Sequence, residues 1–228
     1  LDMEESQEPG EDKPGSLQTL ADVKHDYTLV NTIAERKRLA KRLATLPSFC
    51  FDIETTALDT RTAEILGISF ASEAGQAWYA TVPDEASLEI FRPILENPRI
   101  EKTGHNLKYD LKVLLWHGVE ARGTFFDTML AHALIEPDQR HGMDHLAEAY
   151  LGYSPIPITH LIGEKGEAQT SLNEAPLDQV AEYAAEDVDI TLRLRKALEP
   201  KLAEGRIGEV FRDMEARLMP VLAGMEYE

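Results

Sequence analysis

Hydrophobic and polar positions along the chain fall into two alternating periods. Tyr27–Asn31 reads as a short strand, and Thr32 with Glu35 makes a T-x-x-E capping box ahead of Ile33, Leu39, Leu43 and Leu46 at helical spacing. Pro47 stops that helix. Ser48–Glu54 then alternates as a strand, with Phe49, Phe51 and Ile53 facing one way and Cys50, Asp52 and Glu54 the other. Ile65–Ser72 and Ala77–Val82, separated by Gly75, predict an antiparallel hairpin. Ser87–Glu96 predicts a helix disturbed by Pro93, and Ile100–Thr103 a strand. Leu107–His117 is amphipathic, carrying Leu107, Leu111, Leu114 and Leu115 on one side. Thr124–Asp127 starts a further strand; Met129–Ile135 and Asp144–Leu151 read as helices, the second closed by Gly152. An irregular stretch, 153–176, leads to a long helix from Leu177 to about Leu198, which Pro200 follows. Strands dominate the first half and helices the second, so the expected architecture is α/β or α+β: a mixed sheet covered by helices.

The chain's 228 residues suffice for one domain with its own core. Its net charge of −18 argues against sequence-blind binding of a polyanion, so any contact with nucleic acid must be local and bridged by metal. Cys50 is the only cysteine, which excludes a disulfide scaffold or a Cys-based zinc site and fits a reducing compartment. No apolar run approaches a membrane span, and no signal-peptide pattern opens the chain. Residues 1–15 carry six acids and almost no large apolar side chains, so residues 1–24 are read as an acidic flexible linker with order beginning near residue 25. The opening Leu1, in place of Met, points to a fragment or processed form. Arg36, Lys37, Arg38, Lys41 and Arg42 form the densest basic run, which reads as a solvated helix face.

Four acids carry the candidate chemistry. Asp52 and Glu54 leave the same face of their strand about 7 Å apart along it; alone, such a pair describes a solvated sheet face. Asn106 and Asp110 share one face at the start of the leucine-striped helix, a pattern that alone fits a helix cap. The segment Y-A-A-E-D-V-D-I-T-L-R-L is more informative. Tyr183, Asp187, Ile190 and Leu194 lie on one helical line flanked by Ala184 and Val188, which puts Asp187 on the packing face. A lone buried carboxylate there costs several kcal/mol unless a base or a cation neutralises it. Glu182, Glu186 and Asp189 face elsewhere and are read as solvated. Oxygen donors without a Cys or His cluster favour Mg²⁺ or Mn²⁺ over zinc. Two such ions about 3.5–4 Å apart can clamp a phosphodiester.

The trio F-D-I-E-T (51–55), G-H-N-L-K-Y-D (104–110) and Y-A-A-E-D (183–187) resembles the three motifs of the DEDD 3′–5′ exonucleases. Tyr183, four residues before Asp187, is similar to the mark of the tyrosine-type branch; the histidine-type branch would need His where Glu182 stands. With R-G-T-F-F-D-T-M-L (122–130), H-G-M-D-H-L-A (141–147) and the closing helix 213–226, the chain resembles the proofreading domains of bacterial family A DNA polymerases from about residue 25 onward.

That resemblance implies an RNase H-like fold, a central mixed sheet flanked by helices, with the exonuclease domain at 25–204 and the first helix of a polymerase domain at 205–228. It also implies roles. Asp52 would bridge two divalent cations (Mg²⁺ or Mn²⁺), Glu54 and Asp187 would complete the site of the attacking water, and Asp110 would serve the second metal. Tyr183 would orient that water. Leu58 would wedge against the terminal base, and His105, Asn106, Tyr109 and Arg140 would hold a single-stranded DNA 3′ end. The implied product is a dNMP, the partner a polymerase domain of the same longer chain, the state monomeric and the location cytoplasmic with the nucleoid. Two departures stand out: His105 replaces a Gln of relatives, and the 153–162 loop carries Ile158, Thr159 and His160 where some relatives present an aromatic. An RNA-trimming enzyme like ribonuclease D and a catalytically silent spacer are the competing readings.

Overall fold

The computed structural model describes residues 17–164, 166, 169–204 and 206–227; the acidic segment 1–15 lies outside them. β1 (Asp26–Val30) is followed by α1 (Ile33–Leu43), β2 (Ser48–Thr55), β3 (Ile65–Glu73) and β4 (Gln76–Thr81). Two short helices, α2 (Glu85–Glu89) and α3 (Arg92–Leu95), take the place of the single expected helix, because Pro93 can enter only the first turn of a new one. Next come β5 (Glu101–Gly104), α4 (Leu107–Trp116), β6 (Phe125–Asp127), α5 (Thr128–Ile135) and α6 (Met143–Leu146), which runs into a wide turn ended by Gly152 in the left-handed region. α7 (Thr159–Ile162) interrupts the stretch expected to be irregular. α8 (Leu177–Leu202) is longer than expected and holds Pro200 in its last turn. α9 (Ile207–Val210) leads through a second wide turn to α10 (Ala216–Tyr227).

The six strands form one mixed sheet in the order β1-β4-β3-β2-β5-β6, with β3 antiparallel to β2 and β4 and the remaining pairs parallel. The β2 alternation sorts its two faces. Phe49, Phe51 and Ile53 join Phe70, Leu39, Leu43, Leu107, Leu111 and Leu114 in the main core under α1 and α4. On the opposite face Cys50, Ala71 and Ala77 meet Ala185 and Val188 of α8. Those small side chains let α8 lie close to the sheet, on the side from which Asp52 and Glu54 project.

Two expectations change in the folded chain, and the last helix finds a place on the core. Residues 17–24 are ordered: Gln18 bridges to Tyr153, and Leu20 is buried in a short 3₁₀ turn. Arg36 of the basic run is buried, its guanidinium donating to the Thr81 carbonyl (2.6 Å) and hydroxyl (2.5 Å) and to the Asn31 carbonyl, so it ties α1 to β4. The last helix is half covered. Met219 and Ala223 enter the main core along α4, and Glu226 pairs with Lys108 and Lys112, while Met214, Val221 and Met225 stay exposed.

Candidate active site

β2 passes the end of its parallel neighbour: its pairing with β5 stops at Cys50, whereas pairing with β3 continues to Thr55. The far end of β2 thus has one open side, and α4 fills it. Asp110, buried on α4, accepts the Ile53 N–H at 3.2 Å. Across the sheet surface α8 brings Asp187 to Asp52 and Glu54, and each of the three offers an oxygen within 4.8 Å of the others. Glu54, Asp110 and Asp187 are almost wholly buried; Asp52 is half-buried.

Burial and mutual repulsion set the electrostatics. Burial pushes the Asp52 carboxyl up to about 6. Glu54 is held well above the ordinary carboxylate range by burial and then by Asp52. Asp110 is raised by burial and Asp52, and Asp187 by burial, Glu54 and Asp52 in that order. Among the described residues no Lys or Arg pairs with any of these four. Asp187 Oδ1 is buried without a hydrogen-bond partner. An all-oxygen donor set, an orphaned buried oxygen and no compensating base together fit a hard divalent cation. Tyr183 lies one turn before Asp187, its hydroxyl beside that carboxylate; burial, Asp187 and Glu54 push its pKa well above the ordinary phenol value, so it stays protonated.

The other candidates are placed less uniformly. Leu58 is 92% exposed on the turn after β2. Tyr109 spends its hydroxyl on that turn, donating to the Ala57 carbonyl at 2.7 Å and lying 2.7 Å from Thr55 Oγ1. Asn106 is exposed, adopts a left-handed conformation (φ 62°) and makes no side-chain cap. His105 is turned inward: Nδ1 lies 2.8 Å from Thr128 Oγ1, Nε2 is buried without a partner, and burial lowers its pKa to about 4, leaving the ring neutral. Arg140 is exposed next to His141, whose Nδ1 meets His132 Nδ1 at 2.8 Å. Lys102 is buried, its ammonium donating to the Asn97 and Arg122 carbonyls, and burial lowers its pKa to about 8.

Three acids that support the site escape a reading of pattern. Asp127 is buried and caps two helices at once, accepting the Asn106 and Leu107 N–H groups of α4 and the Met129 and Leu130 N–H groups of α5. Its place just before an apolar helical run is the available signal. Glu186 and Asp189, expected to be solvated, are fully buried. Asp189 accepts from Tyr27 Oη (2.8 Å) and the Gly75 N–H (2.7 Å) and pairs with Arg193. Their helical positions face the sheet edge and a loop, partners that helix periodicity does not show.

A sequence model of the 3′-5′ exonuclease family matches residues 27–203. Over 239 aligned residues the chain is 37% identical to DNA polymerase I of Pseudomonas aeruginosa, covering 98% of this chain and 26% of that protein, so it spans about a quarter of that relative's length. Among solved structures, Escherichia coli RNase D superposes with a TM-score of 0.68 at 22% identity over 89% of this chain and 51% of that one. Brucella melitensis NrnC with bound Mg²⁺ gives 0.66 at 18% identity over 90% and 94%. At such identities the likeness establishes the fold, an RNase H-like mixed sheet with flanking helices. The matched span contains β2, α4 and α8 with Asp52, Glu54, Asp110 and Asp187, and the chain belongs to the 3′–5′ exonuclease family.

Proposed function

We propose that this chain removes nucleotides from single-stranded DNA 3′ ends with two divalent cations, Mg²⁺ or Mn²⁺, as the proofreading part of a longer, monomeric DNA polymerase I. The observation that carries the reading is the convergence of Asp52, Glu54 and Asp187 around the orphaned Asp187 Oδ1, with no base among the described residues to neutralise them. Asp52, Glu54 and Asp187 would hold the cations together, with Asp110, fixed by the Ile53 N–H, beside the second. Such ions supply an activated water and stabilise the leaving oxygen. Tyr183, protonated, donates a hydrogen bond that orients the water; it is no base for the water's proton. Water adds to the terminal phosphorus, the bond to the 3′ oxygen breaks, and a dNMP leaves from a strand ending in a 3′ hydroxyl. Exposed Leu58, braced by Tyr109, meets the terminal base, and exposed Asn106 and Arg140 meet the strand. His105 supports Asn106 from within through Thr128.

Asp52→Ala and Asp187→Ala are each expected to lower Mg²⁺-dependent release of dNMP from a single-stranded oligonucleotide by at least about a hundredfold, the scale of losing a transition-state electrostatic contact. Wild-type rates in either variant would end the proposal. The likeness to E. coli RNase D supports a second reading, RNA as substrate. The DNA polymerase I relative favours DNA, and rates on DNA and RNA 3′ ends of identical sequence decide between them.

A further inference from the structure

Glu186 precedes Asp187 in sequence and points away from it. Its side chain is fully buried on α8, yet it neither joins the acid cluster nor pairs with a base among the described residues. Both oxygens are spent on one segment: Oε1 accepts the Tyr153 hydroxyl at 2.5 Å and Oε2 accepts the Ile156 N–H at 2.7 Å. The same segment is held from its other side by Gln18, whose N–H reaches the Gly152 carbonyl (2.9 Å) and whose carbonyl accepts the Ser154 N–H (2.8 Å). Beyond Ile156 the chain enters α7, and Leu161 and Ile162 pack into the apolar cluster that Tyr183 borders, with Tyr79, Val180 and Ala184. Further along, the Ser171 hydroxyl donates to the Thr56 carbonyl at the end of β2. The stretch after Tyr153 is therefore a wall beside the acid cluster, and a carboxylate one residue from a candidate metal ligand fixes where that wall starts.

We propose that Glu186 is a positioning residue: it anchors the 153–156 segment to α8 and so sets the placement of residues 157–162 against an extended single strand. Burying a carboxylate is unfavourable unless donors satisfy it, and here both donors come from the segment. The proposal rests on the nuclease reading above, but the anchoring itself is measurable without it. Adjacent positions on α8 thus divide the work, with Asp187 facing the cations and Glu186 facing the wall that meets the rest of the strand.

The experiment compares the wild-type chain with Glu186→Gln and Tyr153→Phe. Glu186→Gln turns one acceptor into a donor; Tyr153→Phe removes one bond and leaves the carboxylate held by Ile156. Hydrogen exchange of residues 153–162 is expected to quicken in both variants, more in Glu186→Gln, while β2 and α4 stay protected. Mn²⁺ affinity by calorimetry and hydrolysis of the p-nitrophenyl ester of thymidine 5′-monophosphate, too small to reach the wall, should stay within about twofold of wild type. KM for a single-stranded oligonucleotide should rise about tenfold in Glu186→Gln and about threefold in Tyr153→Phe, the scale of losing a charge-assisted or an ordinary hydrogen bond. Unchanged exchange in 153–162, or equal losses on both substrates with weakened Mn²⁺ binding, would overturn the proposal. A wild-type chain with no metal-dependent hydrolysis of either substrate would instead overturn the nuclease reading, and the exchange result would still decide the anchoring.

Discussion

Replacing Asp52 by Asn should stabilise the metal-free protein, and only above acidic pH. Burial moves the Asp52 carboxyl from its ordinary 3.8 to about 6. A folded-state pKa above the unfolded one means that the native state binds the proton more tightly. The associated stability is complete below about pH 4 and is lost as pH rises through about 6. At 1.36 kcal/mol per pH unit the loss from this one carboxyl is about 3 kcal/mol by pH 7. An amide is never ionised, so Asp52→Asn escapes that loss. Without metal, the variant and wild type should melt together near pH 4, and the variant should melt about 6–12 °C higher near pH 7, using about 2–4 °C per kcal/mol for a chain of this size. Thermal unfolding in a chelator, followed by circular dichroism at several pH values, measures the difference directly; the difference contains Asp52 together with its repulsion of Glu54, Asp110 and Asp187, which adds in the same direction. Adding Mn²⁺ at pH 7 should raise the wild-type midpoint and leave that of Asp52→Asn nearly unmoved, because cation binding needs the ionised cluster. A stability difference that does not change with pH would refute the reasoning, since it would mean that Asp52 is not held against ionisation.

Further expectations follow from single contacts. Asp127→Ala strips the N–H groups opening α4 and α5 of their shared acceptor and should cost about 2–4 kcal/mol in urea unfolding, with reduced nuclease rate because α4 carries Asp110. Gly67 pairs with Glu54, and a Cβ there would lie 2.4 Å from the Tyr79 ring; Gly67→Ala should cost about 1–3 kcal/mol and weaken Mn²⁺ binding in calorimetry. Glu226 occupies both Lys108 and Lys112, so Glu226→Gln should tighten single-strand DNA binding at low salt and steepen its salt dependence in a fluorescence titration.

The alternation of Phe49-Cys50-Phe51-Asp52-Ile53-Glu54 by itself determined which face of β2 is core and which carries the acids, because strand side chains can point only two ways. The helical line through Tyr183, Asp187, Ile190 and Leu194 likewise placed an acid on a packing face, and the hairpin, the Thr32 capping box and the leucine stripe of α4 were legible for the same reason: each is a local period. What periodicity does not encode is what stands opposite. Glu186 and Asp189 read as solvated because their partners, Tyr153, Ile156, Tyr27 and Gly75, are distant in sequence and reach them only once α8 lies on the sheet. Arg36 looked like part of a wet basic face until β4 supplied the Thr81 oxygens. The gathering of Asp52, Glu54 and Asp187 belongs to the same class: only the close approach of α8 over Ala71 and Ala77 brings their oxygens together, so tertiary packing decided the electrostatics that local pattern could only nominate.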